Sequence, residues 1–177
     1  LCAVEKTSRD AVLLSVSLKN FTPPPPCSIT LLQAVPKGKI IESIIQKAVE
    51  LGARHIVPLL TERVVTQLDD ENAGNKRDKW QQVAIEAIKQ CGAAWLPVIE
   101  TPTILEESLK RRYKFDLSLV GTLQAQRCHP RDCFREFQTQ HKRLPQSVGV
   151  WIGPEGDFTP EELEAIQATK ALPISLG

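Results

Sequence analysis

Apolar and polar residues follow two recurring patterns along most of the chain, a short apolar run and a longer amphipathic segment. Residues 29–35 form an apolar run of strand length, and a turn at residues 36–39 ends it. Residues 40–51 then repeat apolar positions at helical spacing, Gly52 ends that helix, and residues 55–60 form the next strand. Two strands joined by one helix make a βαβ unit, so we expect these strands to be parallel.

The same alternation continues to the end of the chain. Residues 66–75 are polar and acidic, which predicts a loop. Thr103 is placed to cap a short helix, because Glu106 follows three residues later in capping-box position. The further predicted elements are helix 76–91, strand 96–99, helix 103–111, strand 115–120, helix 131–140, strand 148–152 and strand 172–176. Such alternation predicts an α/β fold, a mostly parallel sheet with helices on both faces.

The best-defined helix start in the sequence is at Thr159. Its hydroxyl suits the N-cap position, Pro160 suits the first helical position, and Glu161 and Glu162 place carboxylates at the positive end of the helix dipole. We therefore expect a helix to begin there.

The first 27 residues do not join this alternation. Residues 12–18 have the pattern of a strand, and the four prolines at residues 23–26 exclude a helix interior or a central strand. We interpret residues 1–27 as the tail of an N-terminal domain with a proline-rich linker, and residues 28–177 as the main domain.

Composition narrows the class of protein. The chain is 42% hydrophobic and 24% charged, which is typical of a folded globular domain. No apolar run approaches the roughly 20 residues of a membrane-spanning helix, and the first residues lack the order of a secretory signal. These features predict a cytoplasmic protein without membrane contact. Five dispersed cysteines without a CxxC pair predict reduced thiols and no metal site.

Charge is unevenly distributed along the chain although the net charge is +1. Residues 76–143 carry 13 basic against 8 acidic residues, and residues 144–177 carry 1 against 5. A basic middle segment suits contact with nucleic-acid phosphates. A solvated helix face produces the same pattern, so charge alone leaves both interpretations open.

The candidate functional residues lie in the loops that follow three of the predicted strands. Ligands of open α/β sheets bind beyond the carboxyl ends of the strands, and Gly121, Gly153 and Gly177 stand there. The loop at residues 152–158 is the most unusual, because Gly153 and Gly156 would let a ligand approach the backbone closely. It contains neither a phosphate-loop lysine nor a dinucleotide fingerprint. By itself it also fits a tight strand-to-helix connection.

Four sequence stretches occur here in a fixed order, with a fifth, weaker one at residues 84–91. They are Ala34-Val35-Pro36-Lys37-Gly38-Lys39, Ile45-Gln46-Lys47-Ala48-Val49-Glu50-Leu51-Gly52, Pro58-Leu59-Leu60-Thr61-Glu62-Arg63, and Ile152-Gly153-Pro154-Glu155-Gly156 with Ser175-Leu176-Gly177. In these stretches the chain resembles the 16S ribosomal RNA uracil-N3 methyltransferases, a family of the knotted SPOUT superfamily. The resemblance covers residues 28–177.

The resemblance implies S-adenosylmethionine as cofactor and N3 of a uracil in small-subunit ribosomal RNA as target. It also implies a C-terminal trefoil knot, a homodimer, and a small PUA-like RNA-binding domain at the N-terminus, of which residues 1–27 would be the remnant. No metal is implied. The compartment would be the cytoplasm, or an organellar matrix or stroma in a eukaryote.

Carried over by position, the resemblance implies two sets of site residues. The cofactor would contact three loops, at Val120, Gly121 and Thr122, at Ile152, Gly153, Pro154, Glu155 and Gly156, and at Ile174, Ser175, Leu176 and Gly177. RNA would contact Lys37, Lys39, Lys47, Arg63, Lys89 and Gln90. Two plainer interpretations stay open: Glu155 caps the helix at Thr159, and Lys47 is an ordinary helix-surface charge. The sequence identifies no general base.

The chain departs from the resembled family in three places. It ends at Gly177, where the family continues with a segment that carries an arginine and a glutamate. Asp157 stands where a third glycine is common, and Ala93, Ala94 and Trp95 stand where arginines are common. Three alternatives therefore remain: a knotted methyltransferase of transfer-RNA ribose, one acting on another ribosomal RNA base, and a non-catalytic RNA-binding scaffold.

Overall fold

The computed structural model describes residues 1–63, 70–123 and 127–175. Nine strands and five helices occur in these residues. The strands are β1 (Cys2–Thr7), β2 (Val12–Val16), β3 (Ser28–Ala34), β4 (His55–Leu60), β5 (Val98–Ile99), β6 (Thr103–Ile104), β7 (Leu117–Gly121), β8 (Ser147–Ile152) and β9 (Leu172–Ile174). The helices are α1 (Ile40–Glu50), α2 (Asp70–Cys91), α3 (Leu105–Lys110), α4 (Pro130–His141) and α5 (Pro160–Gln167).

A seven-stranded sheet forms the centre of the fold, in the order β5-β4-β3-β8-β7-β9, with β6 paired beside β4. All pairs in this sheet are parallel. The predicted βαβ unit is confirmed, since β3 and β4 pair in parallel with Leu32 opposite Val57. The predicted α/β class with a mostly parallel sheet is likewise confirmed.

Helices cover both faces of the sheet, as the alternation predicted. On one face α3 and α5 pack on a cluster that contains Trp151, Leu32 and Val120, all at most 2% exposed. On the other face α1 and α2 cover Ile56, and α4 covers Leu119. Neighbouring residues of one strand thus serve opposite faces, because side chains alternate along a strand.

Helix ends follow their local sequence in most places. Gly52 has φ +91° and ends α1, where its amide donates to the carbonyl of Val49 at 3.0 Å. Gly92 has φ +70° at the end of α2. Thr159 caps α5 in a complete capping box with Glu162, which confirms the predicted helix start. The His129 side chain accepts from the amide of Arg131, so α4 begins one residue earlier than predicted.

Two sequence-based predictions of local structure were wrong. Thr103 lies in β6 and caps nothing; Ile104 is the N-cap residue of α3, without a side-chain cap. The pairing of Leu59 with Thr103 holds that threonine in the sheet, which the local pattern could not reveal. Helix α2 begins at Asp70, within the predicted loop 66–75; residues 66–69 of that loop lie outside the described residues.

Strand lengths differ from prediction in smaller ways. β2 ends at Val16 instead of residue 18, β5 begins at Val98, and β9 ends at Ile174. Leu176, the predicted end of β9, lies outside the described residues. β1 was not predicted, and it pairs antiparallel with β2 in a separate two-stranded sheet.

The proline-rich segment is attached to the main domain through Trp95. The indole Nε1 donates to the carbonyl of Pro23 at 3.2 Å, and the guanidinium of Arg54 lies 4.7 Å from the centre of the Trp95 ring. A residue that departs from the resembled family therefore has a structural role here.

Among the described residues no helix combines the length and the apolar character that crossing a membrane requires.

Candidate functional site

The loops that follow the parallel strands meet at one edge of the sheet. Because all strands of this sheet run the same way, their carboxyl ends lie together, where ligands of open α/β sheets bind. A cavity of about 260 Å³ opens there. It is lined by Gly121, Thr122, Leu123, Ile152, Gly153, Pro154, Glu155, Asp157 and Ser175. Roughly 300 Å³ is the lower end for small-molecule sites, so this cavity is slightly smaller than such sites usually are.

Three predicted loops border this cavity, those after β7, β8 and β9. Not every predicted cofactor residue lines it. Val120 and Ile174 are 0% and 1% exposed and belong to the core beneath the cavity. Gly156 lies on the outer side of its loop, next to Arg63. Leu176 and Gly177 lie outside the described residues. Leu123 and Asp157 line the cavity although they were not among the predicted cofactor residues.

The two glycines of the loop after β8 have different structural reasons. A Cβ on Gly153 would lie 3.0 Å from the amide nitrogen of Phe158, so a side chain there would require the backbone at Phe158 to shift. A Cβ on Gly156 would meet only the Arg63 side chain, at 3.5 Å, which is ordinary contact. Positive φ occurs at neither glycine; it falls on Asp157, at +64°. Of the two glycines in this loop, Gly153 is therefore the one at which a Cβ would be crowded.

Glu155 joins this loop to the turn after β3. Its Oε1 accepts a hydrogen bond from the backbone amide of Lys37 at 3.2 Å. Within the described residues the cap of this helix is formed by Thr159 and Glu162, so the capping interpretation of Glu155 was wrong. The carboxylate remains exposed and borders the cavity.

Arg63 connects the loop after β4 to the same region. Its Nη1 donates to the carbonyl of Gly156 and, at 3.4 Å, to that of Asp157. The guanidinium thus holds the backbone of the loop after β8 from outside the cavity. Of the predicted RNA-contact residues, Arg63, Lys37 and Lys39 lie at this edge of the sheet.

The remaining predicted RNA-contact residues lie elsewhere. Lys47 and Lys89 stand in the last turns of α1 and α2, which run antiparallel to the strands and so end at the opposite edge. Each forms an ion pair within its helix, Lys47 with Glu50 at 3.0 Å and Lys89 with Glu86 at 2.7 Å. Gln90 borders a separate groove between α1 and α2. The surface-charge interpretation of Lys47 fits this geometry.

The end of β9 is bonded on both of its edges. On one edge the amide of Thr122 donates to the carbonyl of Ile174 at 3.1 Å. On the other, the amide of Cys128 donates to the carbonyl of Pro173 at 3.1 Å, and the amide of Ser175 donates to the carbonyl of Cys128 at 2.9 Å. Thr122 and Cys128 therefore lie on opposite edges of β9.

The thiol of Cys133, near the end of β9, is suited to packing and not to nucleophilic chemistry. Cys133 lies on α4 and is 3% exposed, in the core that this helix covers. Burial, with a further contribution from the neighbouring Cys128 thiol, raises the pKa of Cys133 to about 12, so this thiol stays protonated at neutral pH. Among the described residues no three His, Cys, Asp or Glu side chains are grouped to hold a metal ion.

A larger cavity, of about 510 Å³, lies near the amino ends of β7 and β9. Residues that follow α3 and α5, among them Arg112 and Lys170, line it. Helix C-termini carry partial negative charge, so basic residues at this place complement the helix dipoles. Open α/β sheets bind ligands at the opposite edge, which favours the cavity beside Gly153.

Fold and site together define a class: an open α/β protein with a small-molecule cavity at the carboxyl edge of a parallel sheet. Within that class, the model of the RNA methyltransferase domain family matches residues 23–177. The chain belongs to this family, and the expectation of an RNA methyltransferase is confirmed at that level.

Curated relatives carry a more specific name. Ribosomal RNA small subunit methyltransferase E of Bacillus subtilis is 29% identical over 99% of this chain and 69% of its own length. The protein of the same name from Synechocystis is 32% identical over 94% of this chain and 51% of its own length. The chain thus spans between half and about two thirds of these relatives.

Solved structures of methyltransferases are also similar to this chain. A Legionella pneumophila protein assigned to the methyltransferases, solved with its cofactor SAM, has a TM-score of 0.84 and 31% identity over 99% of this chain and 69% of its own. A ribosomal RNA small subunit methyltransferase E from Neisseria gonorrhoeae, bound to S-adenosyl methionine, has a TM-score of 0.73 and 27% identity over 86% of this chain and 59% of its own.

Proposed function

We propose that this chain binds S-adenosylmethionine in the cavity beside Gly153 and transfers its methyl group to N3 of a uracil in small-subunit ribosomal RNA. The observation that carries the proposal is the convergence of three loops on this cavity in a member of the RNA methyltransferase family. The names of the relatives support ribosomal RNA as substrate, and the SAM-bound solved relatives support the cofactor.

The residues around the cavity fit this cofactor. S-adenosylmethionine carries positive charge on its sulfonium and its amino group. Glu155 and Asp157 bring two carboxylates to the cavity, and no lysine, arginine or histidine is among its described lining residues. Gly121 and Gly153 leave backbone groups accessible to a purine or ribose, and Ile152 and Pro154 offer apolar contact.

Methyl transfer makes two demands on the protein. The bound cofactor supplies an electrophilic methyl group. The protein must favour loss of the proton from uracil N3, and it must hold N3 in line with the methyl group. Rigid loops meet the second demand, because alignment of two reactants removes an entropic barrier. The contacts of Glu155 with Lys37, and of Arg63 with Gly156, restrain the loops on which this alignment depends. N3 lies on the Watson–Crick edge, so the base must be unpaired to enter.

Lys37 and Lys39 are the RNA contacts that we propose with most support. Both are exposed in the turn after β3, next to the cavity, and neither forms an ion pair within the described part of the chain. Cations without a carboxylate partner remain available to phosphates. Lys47 and Lys89, each already paired and at the far edge, are weaker candidates.

The trefoil knot remains part of this proposal. The bonding of β9 to Thr122 on one edge and to Cys128 on the other supports it. We also propose the homodimer, and an N-terminal PUA-like domain to which the hairpin β1–β2 would belong. The exposed Val4, Val12 and Leu14 of the hairpin support a further covering element. The bacterial relatives support a cytoplasmic location.

Two measurements on the full gene product test the function. Calorimetry with S-adenosylmethionine should show one site per protomer, and incubation with small ribosomal subunits should produce 3-methyluridine, identified by nucleoside mass spectrometry. Methyl groups on ribose or on another base would overturn the uracil assignment and favour the corresponding alternative. Absence of cofactor binding would favour the non-catalytic scaffold.

A further inference from the structure

Asp157 joins two of the loops that line the cavity. Its Oδ2 accepts hydrogen bonds from the Thr122 hydroxyl at 3.1 Å and from the Leu123 backbone amide at 3.0 Å. Its Oδ1 accepts from the backbone amide of Phe158 at 2.8 Å. One carboxylate thus joins the loop after β7 to the loop after β8, and all three residues line the cavity.

The backbone of Asp157 adopts an unusual conformation to make this contact. Its φ of +64° lies in the left-handed region, where a residue other than glycine is strained. Aspartate and asparagine tolerate this region better than most residues. A glycine would supply the conformation without strain, but it could not bond to Thr122 or Leu123. The position therefore gains a specific contact by carrying a side chain.

The loop after β7 depends on this contact at its outer end. Leu123 is 77% exposed, so side-chain packing contributes little to holding it. Thr122 is additionally bonded to Ile174 through its amide, and its carbonyl accepts from Arg127 Nη1 at 3.3 Å. Within the described part of the chain, the bond from its amide to Asp157 is the one hydrogen bond that Leu123 forms.

We propose that Asp157 is a positioning residue, which holds Thr122 and Leu123 at the distance from the loop after β8 that the cofactor requires. This inference rests on the proposed function in so far as the ligand is S-adenosylmethionine. A cavity wall that is already in place reduces the entropy lost on binding, so the effect of Asp157 should be seen in cofactor affinity.

The main test compares Asp157→Gly with the unaltered full gene product. Glycine keeps the left-handed backbone and relieves its strain, which offsets part of the loss of three hydrogen bonds, so we expect thermal stability without cofactor to fall only slightly. The Kd for S-adenosylmethionine, measured by calorimetry, should rise about tenfold because the two hydrogen bonds that join the loops, from Thr122 and Leu123, are lost. The KM for the RNA substrate should stay within a factor of about two, since Asp157 faces the cofactor cavity.

Two further variants keep the test decisive if Asp157→Gly does not fold. Asp157→Asn retains one carbonyl oxygen and should weaken cofactor binding less than glycine does. Thr122→Val removes the hydroxyl donor at nearly constant volume and should weaken it about threefold, the loss of one of the bonds. Glu164→Gln, an exposed carboxylate change on α5, is the matched control and should leave the Kd unaltered.

Amide hydrogen exchange separates this inference from the proposed function. In cofactor-free protein the Leu123 amide should exchange about tenfold faster in Asp157→Gly than in the unaltered protein, whatever ligand the cavity takes. Equal exchange at Leu123 would overturn the positioning role. So would an unaltered Kd for S-adenosylmethionine in a protein that binds it. If the unaltered protein does not bind the cofactor, the proposed function fails and the exchange result alone decides the role of Asp157.

Discussion

Glu162 Oε1 accepts a hydrogen bond from the backbone amide of Glu62 at 2.8 Å, which joins the first turn of α5 to the loop after β4. Oε2 of the same carboxylate accepts from the amide of Thr159 at 2.9 Å, and the residue is only 8% exposed. The carboxylate that caps α5 thus also joins the loop before this helix to the loop after β4, and both loops lie at the carboxyl edge of the sheet. The same edge carries the proposed cofactor cavity.

Replacement of Glu162 by alanine should destabilise the fold more than loss of an ordinary cap. Two amides, one of them on the buried Thr159, would lose their acceptor, so we expect the free energy of unfolding to fall by about 2–3 kcal/mol. Urea denaturation followed by circular dichroism measures this. Glu161→Ala, in the same helical turn but exposed, is the control, and its effect should stay within about 0.5 kcal/mol. Equal effects of both variants would contradict the connecting role of Glu162.

Gly153 should not tolerate a methyl group, whereas Gly156 should. The Cβ of Gly153→Ala would press on the Phe158 amide, so we expect a loss of about 1–3 kcal/mol in unfolding free energy and weaker cofactor binding. Gly156→Ala, three residues further on, places its Cβ against a flexible arginine side chain and should change stability by less than about 0.5 kcal/mol. Thermal unfolding and calorimetry check both variants. Comparable losses would show that the loop relaxes around Gly153.

Most of the fold could be predicted from the sequence because its signals are local. Strand β4 was predicted with its observed bounds, His55–Leu60, and the cap at Thr159 was read from four consecutive residues. Thr103 shows where local signals fail. It has a capping residue's chemistry, yet its pairing with Leu59 from a distant part of the chain places it in β6. The missed strand β1 likewise depends on a partner strand.

The site could be predicted in outline but not in its connections. A glycine after each strand end, together with parallel strands, was enough to bring Gly121 and Gly153 to one cavity. No sequence pattern indicates that Glu155 reaches the amide of Lys37, or that Asp157 reaches Leu123. These bonds depend on the order of strands in the sheet, which alternation alone does not determine. The substitution of aspartate for a common glycine was the available signal at Asp157.

Acid should weaken the fold through Asp116. Two hydrogen bonds from the Arg143 guanidinium, at 2.8 and 2.9 Å, and one from the Gln146 amide lower the pKa of this carboxyl well below its usual range. Because the folded-state pKa is depressed, the stabilising contribution is complete above the unfolded-state pKa of roughly 4 and is lost as pH falls below it. Asp116→Asn should therefore be less stable than the unaltered protein at pH 7, with the difference shrinking towards pH 2.

Denaturation midpoints measured from pH 7 down to pH 2 check this dependence. Asp132→Asn serves as the control, since its ion pair with Arg135 is exposed and long, at 3.4 Å. A stability difference for Asp116→Asn that stays constant over the whole range would show that the ion pair does not carry the effect.

Glu155 should help the cavity to distinguish the methyl donor from its product. S-adenosylmethionine carries a sulfonium, whereas S-adenosylhomocysteine carries a neutral thioether, so a carboxylate at the cavity favours the donor. Glu155→Gln keeps an oxygen that can accept from the Lys37 amide and removes only the charge. We expect the Kd for S-adenosylmethionine to rise about threefold to tenfold, with a smaller change for S-adenosylhomocysteine, because exposed charges act through water. Calorimetry with both ligands at two salt concentrations measures the ratio of the two Kd values. Glu155→Gln should change this ratio less at high salt than at low salt. If both affinities fall equally, the role of Glu155 is to hold Lys37 and its loop, and charge selection at this cavity is excluded.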